Sequence, residues 1–175
     1  MDEKGFLLGR ITKAKRIFPK DLKSSERLLG AGQDGSREWI TVVATICADG
    51  TTLPPLLTYD SISGSIQDSW VQDFRSNEHQ AWFTSSPSGW TSDEVGFKWL
   101  KAMVDKNTQD KAARDWRLLF VDGHTSHVTL KFLEWAQQHE ILVAVYPPHS
   151  THRLQPLDVG SFAPLAIFYS QLLEQ

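Results

Sequence analysis

The chain has 175 residues, of which 41% are hydrophobic and 22% charged, and its formal net charge is −3. This composition predicts a single globular domain over residues 1–175 with a core of its own. The lone Cys47 excludes an internal disulfide and a thiolate metal cluster and favours a reducing compartment. No apolar run reaches the roughly 18–20 residues of a membrane-spanning helix.

A basic segment lies near the start of this acidic chain. Between Arg10 and Arg27 there are seven Lys or Arg residues and two acids. Such a segment is typical of a phosphate-binding surface, and its candidate phosphate contacts are Lys13, Lys15 and Arg16. An ordinary solvated basic loop explains the pattern equally well, so both interpretations stay open.

The first clear elements predict a β-hairpin. Residues 39–47 are rich in β-branched side chains and precede an Asp-Gly turn signal at 49–50. A second strand follows over 53–59, and the Pro pair at 54–55 places its start at an edge or a bulge. One more short strand is predicted over 81–84.

A helix is predicted after this strand. Thr91 or Ser92 forms its N-cap, with Asp93 and Glu94 in the first turn, and the helix is expected to end at about Asn107.

A strand–helix–strand unit is predicted next. Residues 118–121 and 141–146 are short continuous apolar runs, typical of strands buried on both faces. A helix capped by Ser126 and ending near His139 connects them, which favours parallel pairing. A final helix carries Pro156 in its first turn. The order of elements predicts an α/β fold, in which helices flank a mixed sheet.

Three aspartates stand beside these elements. Asp2 is near the start of the chain, Asp122 directly follows an apolar strand, and Asp158 lies in the first turn of the last helix. Each has an ordinary explanation alone: a terminal acid, an Asp-Gly turn and a favourable helix-dipole acid. Grouped carboxylates, however, hold hard divalent cations, and paired cations drive phosphodiester chemistry. Together the three acids predict a site that cuts nucleic acid.

Two His-x-x-His pairs accompany the later acids, His124 with His127 and His149 with His152. Such pairs raise the alternative of a zinc site. Neither pair has the Glu of a metalloprotease motif, and cysteine ligands are lacking. Contact with phosphates, or positioning of the carboxylates, is therefore the favoured role for these histidines.

Resemblance to a known family rests on three stretches: Met-Asp-Glu-Lys-Gly-Phe at 1–6, Val-Asp-Gly-His-Thr-Ser-His at 121–127, and Pro-Pro-His-Ser-Thr-His-Arg-Leu-Gln-Pro-Leu-Asp-Val-Gly at 147–160. They closely resemble the catalytic domain of pogo-like DDE transposases of the mariner superfamily. The similarity runs over nearly the whole chain, and the last motif is the most specific.

The resemblance implies an RNase H-like fold and a role for each acid. Asp2 would lie on the first strand, Asp122 on the adjacent fourth strand, and Asp158 at the start of a late helix. Together they would hold two Mg²⁺ or Mn²⁺ ions. The implied activity is metal-dependent DNA strand cleavage followed by strand transfer, with the four histidines in a supporting role. The implied partners are transposon ends and target DNA, the implied compartment is the nucleus, and a homodimer is compatible with this activity.

The chain also departs from the family. Members carry an N-terminal helix-turn-helix DNA-binding region and more residues before the first acid than the single Met1 found here. We therefore expect a catalytic-domain fragment with a truncated first strand and Asp2 on a frayed end. A domesticated or relict, catalytically silent nucleic-acid-binding module is the alternative function. An RNase H-like nuclease that acts on RNA–DNA hybrids is a third.

Overall fold

A computed structural model of the protein describes residues 1–8, 39–123 and 128–173. Four predicted features lie outside these residues: the basic segment, Ser126, His124 and His127. Helices and strands follow one another in this order: β1 Asp2–Leu7, β2 Trp39–Ala44, β3 Leu56–Asp60, α1 Asp68–Val71, β4 Trp82–Ser86, α2 Asp93–Trp99, a π-helical segment Leu100–Asp105, α3 Lys106–Ala112, β5 Arg117–Val121, α4 Leu130–Gln138, β6 Ile141–Val145, α5 Thr151–Leu154, a second π-helical segment Leu157–Ser161, and α6 Phe162–Leu173.

The first four strands form one mixed sheet in the order β1-β2-β3-β4. β2 pairs antiparallel with β1 and with β3, whereas β3 and β4 are parallel. The predicted hairpin is confirmed: Gly50 adopts a φ of 84° in its turn, a conformation that favours glycine. β3 begins at Leu56, directly after the Pro pair.

The predicted strand–helix–strand unit is also confirmed. β5 and β6 pair in parallel, with α4 between them in the chain. The amino group of Met1 donates a hydrogen bond of 3.0 Å to the carbonyl oxygen of Phe120, which brings the start of β1 to β5. The architecture is a mixed α/β arrangement with helices flanking the strands, as the RNase H-like prediction requires.

Two helix boundaries differ from the prediction. The Ser92 side chain caps α2 as expected, accepting a hydrogen bond from the Val95 amide at 3.3 Å. The helix does not end at Asn107, because Leu100–Asp105 and α3 continue it to Ala112. At α4 the predicted cap Ser126 is wrong: the helix begins at Leu130, and the Thr129 side chain caps it by accepting a hydrogen bond of 3.3 Å from the Phe132 amide.

Two apolar clusters hold the layers together. The larger cluster joins the sheet to the α2 and α4 side of the molecule, with Val43, Leu100 and Phe132 fully buried. On the opposite sheet face, Phe6 packs edge-on against Tyr169 of α6, with ring centroids 5.0 Å apart. Helices therefore cover both faces of the sheet around β1 and β2.

The prediction that both faces of β5 and β6 are buried is wrong. Leu119 and Val121 are buried, but Leu118 is 55% exposed and Phe120 44% exposed. On β6, Leu142 is exposed as well. The reason is that α4 packs on one face of this strand pair, whereas α6 lies over the β1 side of the molecule.

Among the described residues, no helix is long and apolar enough to cross a membrane.

Candidate active site

Asp2 is the most buried of the three predicted acids, with 5% of its surface exposed. It pairs with Ala44 in the β1–β2 ladder, so the fraying expected at this end of β1 is not observed. The Glu3 amide donates a hydrogen bond of 2.7 Å to Asp2 Oδ1. The second oxygen, Oδ2, is buried and has no hydrogen-bond partner among the described residues.

This environment raises the pKa of Asp2 to about 7, and burial is the largest cause. The hydrogen bond from Glu3 opposes the rise, because it favours the charged carboxylate. The carboxylates of Asp158 and Asp122 both add to it, Asp158 more strongly. Asp122 and Asp158 therefore each lie within electrostatic reach of Asp2.

The other two acids come from separate elements. Asp122 directly follows β5 and is partly buried, and Asp158 lies exposed in the first turn of the Leu157–Ser161 segment. The strand before Asp122 is the fifth of the described strands rather than the fourth, because β4 forms beside β3 at the far edge of the sheet.

The donor chemistry of these acids fits a hard divalent cation. Carboxylate oxygens are the ligands that Mg²⁺ prefers, and the buried Asp2 Oδ2 is available as a donor atom. In the part of the chain that the structure describes, however, no three His, Cys, Asp or Glu side chains form a cluster able to hold one ion. The structure thus brings the acids into one electrostatic neighbourhood without gathering them into a metal cluster.

The histidines of the last motif lie between β6 and Asp158. His149 is exposed in a tight turn with a φ of 59°, where the Ser150 hydroxyl donates 2.7 Å to the Pro147 carbonyl. His152 is exposed on α5. Their supporting role stays a prediction. The remaining candidates fall outside the described residues: His124, His127, Lys13, Lys15 and Arg16.

Two residues near the acids were missed by sequence reasoning. Tyr146 stacks on Phe120 with ring centroids 5.5 Å apart, and its pKa is raised by burial and by the charge of Asp2. Gln155 is only 1% exposed. A signal for Gln155 was present, since it is a single amide between apolar neighbours in Leu-Gln-Pro-Leu.

A cavity of about 530 Å³ lies next to this region, with Cys47, Tyr146 and Gln155 in its wall. Its lining is mostly apolar, and none of the three acids belongs to it. The cavity therefore adjoins the acid site through Gln155 but does not include the three carboxylates.

Comparisons with known proteins identify the family. The family model of DDE superfamily endonucleases matches residues 36–175. This span contains Asp122 and Asp158 but begins after Asp2.

Two curated proteins are similar in sequence to this chain. One, named MFS-type transporter clz9, from Cochliobolus lunatus, is 34% identical over 176 residues, which is 99% of this chain and 18% of that protein. The other, named pogo transposable element with ZNF domain, from Homo sapiens, is 28% identical over 124 residues, which is 69% of this chain and 8% of that protein. The chain thus spans a small part of either relative, and no solved structure matches it. The match over most of its length shows that the chain belongs to the DDE superfamily endonuclease family.

Proposed function

We propose that this chain is the catalytic part of a DDE-type transposase that cleaves DNA strands and joins the freed 3′ end to target DNA in the nucleus. Family membership supports the nuclease chemistry. The observation that carries the proposal is the buried carboxylate of Asp2, whose pKa the charges of Asp158 and Asp122 help to raise. A buried carboxyl group with a strongly raised pKa is typical of functional sites.

In this proposal Asp2, Asp122 and Asp158 hold two Mg²⁺ or Mn²⁺ ions. Such ions, when bound, lower the pKa of a water or a 3′-hydroxyl and stabilise the leaving oxygen in phosphoryl transfer.

The chain's own residues orient the Asp2 carboxylate and leave Asp158 accessible to DNA. The Glu3 amide fixes Oδ1 of Asp2, which leaves Oδ2 as its free donor atom. Asp158 is solvent-exposed at the start of a helical segment, where a DNA phosphate has access. Candidate phosphate contacts come from His149 and His152, which precede Asp158 in the motif at 147–160, and from the basic segment. A homodimer is compatible with this arrangement.

A catalytically silent nucleic-acid-binding module is the second candidate. It is favoured by one observation, namely that the described acids do not form a three-residue metal cluster. Descent from an active enzyme would leave the fold and the acids in place while catalysis is lost.

A nicking assay on supercoiled plasmid separates the two candidates. With Mn²⁺ present, we expect this chain to nick the plasmid and Asp158→Asn to do so at least about 100-fold more slowly, since loss of even an outer-shell metal partner typically costs 10–100-fold. The exposed Asp73→Asn is the matched control and should keep the parent rate. Plasmid binding without nicking would support the silent module, and preferential cleavage of an RNA–DNA hybrid would support the third function.

A further inference from the structure

A fully buried amide links the first residue of the chain to the segment after α5, beside the acid site. Gln155 lies between α5 and the Leu157–Ser161 segment, and 1% of its surface is exposed. Its Nε2 donates a long hydrogen bond of 3.5 Å to the backbone carbonyl oxygen of Met1. Burial of an amide is unfavourable unless it makes hydrogen bonds, so simple packing would be served better by an apolar residue.

The backbone of Gln155 holds a second part of the site. Its carbonyl oxygen accepts a hydrogen bond of 3.1 Å from the amide of Val159, which closes the turn that carries Asp158. The Met1 carbonyl, in turn, belongs to the peptide group that leads into Asp2. One residue therefore contacts the chain immediately beside two of the three acids.

The remaining polar atom of this side chain is also informative. Oε1 of Gln155 is buried and has no hydrogen-bond partner among the described residues. Oδ2 of Asp2, in the same region of the molecule, is likewise buried without a hydrogen-bond partner among the described residues. A buried polar atom without a partner calls for an explanation, and a place in the cation-binding site explains both atoms here.

We propose that Gln155 is a positioning residue that fixes Asp2 and Asp158 relative to each other. This inference rests on the proposed function, because it assigns Gln155 to the same cation-binding acids. Gln155 acts through the backbone of Met1 and of Val159, and residues of this kind tune metal affinity by orienting the ligands.

The test compares Gln155→Met with Gln137→Met in the complete chain. Methionine has a similar length but no amide, and Gln137 is an exposed residue of α4. Calorimetry measures Mn²⁺ affinity, and NMR measures amide hydrogen exchange at Asp2, Glu3 and Val159 without metal. For Gln155→Met we expect affinity to fall about ten-fold or more and exchange to accelerate at Asp2 and Glu3, whereas the Val159 amide keeps its bond to the main-chain carbonyl of residue 155 and shows that the turn is intact. Gln137→Met should match the parent in both.

Each result decides the inference. Equal Mn²⁺ affinity and equal exchange in Gln155→Met would overturn the role of Gln155 alone, because parent binding would still support the proposed function. No Mn²⁺ binding by the parent would remove the proposed function and the positioning role with it. If Gln155→Met unfolds, Gln155→Asn replaces it: its amide is one methylene too short to reach Met1, and the same local losses are expected.

Discussion

Nη1 of Arg117 lies 2.8 Å from Oδ1 of Asp105, in an ion pair whose two side chains are largely buried. The same guanidinium donates a hydrogen bond to the carbonyl oxygen of His139. Arg117 begins β5, Asp105 ends the first π-helical segment, and His139 follows α4. This one side chain therefore joins three elements at the base of the strand that leads to Asp122.

Arg117→Ala should lower the free energy of unfolding by about 2–4 kcal/mol, because it leaves the Asp105 carboxylate buried without its partner. Urea denaturation measures this change. The control is Arg114→Ala, at an exposed position in the preceding turn, which should cost less than about 0.5 kcal/mol. Similar losses in the two variants would show that the ion pair contributes little.

Asp2 should make stability depend on pH. Its pKa in the folded protein is about 7, above the ordinary value of 3.8, so ionisation of this carboxyl favours the unfolded chain. The stabilising effect of the protonated form is complete below about pH 4 and is lost as pH rises to about 7. Relative to Asp2→Asn, the parent should lose about 1–3 kcal/mol over this range.

Thermal denaturation of the parent and Asp2→Asn from pH 4 to pH 8, in the presence of EDTA, measures this difference. Groups that do not interact with Asp2 are common to both proteins, so their effects cancel, and the difference reports Asp2 together with the Asp122 and Asp158 charges coupled to it. Stability curves that stay parallel across this range would contradict the raised pKa of Asp2.

Gly5→Ala should destabilise the β1–β2 pair. A Cβ atom at Gly5 would lie 2.0 Å from Cζ2 of Trp39, so the indole must move. The Trp39 ring also contacts Trp90, with centroids 5.3 Å apart. We expect a loss of about 1–3 kcal/mol, as for other overpacked sites, with a change in tryptophan fluorescence.

The matched control for this substitution is Gly160→Ala, where an added Cβ meets no atom within 4 Å. Circular dichroism melting should show a lower Tm for Gly5→Ala and an unchanged or slightly higher Tm for Gly160→Ala. Equal Tm values would mean that Trp39 moves away from Gly5 at no cost.

The fold features that could be predicted from the sequence are those set by local chemistry. The Asp-Gly turn at 49–50, the Pro pair at 54–55 and the Ser92 cap act on their immediate neighbours. Boundaries set by tertiary contacts were missed. The helix from Asp93 passes Asn107 into α3, which buries no residue but makes polar contacts with distant parts of the chain: Lys111 pairs with Asp49 at 3.0 Å, and Arg117 donates a hydrogen bond of 3.2 Å to the Thr108 hydroxyl. No local pattern marks such a continuation.

Burial of β5 and β6 illustrates the same limit. Leu118, Phe120 and Leu142 are apolar, so a continuous apolar run predicts two buried faces. Their exposure depends on where α6 packs, which is a property of the whole fold.

For the candidate site, sequence resemblance supplied the identity of the acids but not their environment. Burial of Asp2 follows from its pairing with β2 and from the contacts around Met1, which join residues far apart in the chain. Gln155 was missed for the same reason, since its contact with Met1 spans 154 residues.

The most direct test of the account is a calorimetric titration of this chain with Mn²⁺, with Asp122→Asn and Asp73→Asn titrated in parallel. We predict that the parent and the exposed control Asp73→Asn bind Mn²⁺ alike, and that Asp122→Asn binds at least 10–100-fold more weakly because a carboxylate ligand is lost. Equal binding by the parent and Asp122→Asn, or no binding by the parent, would contradict the claim that the three acids form a cation site.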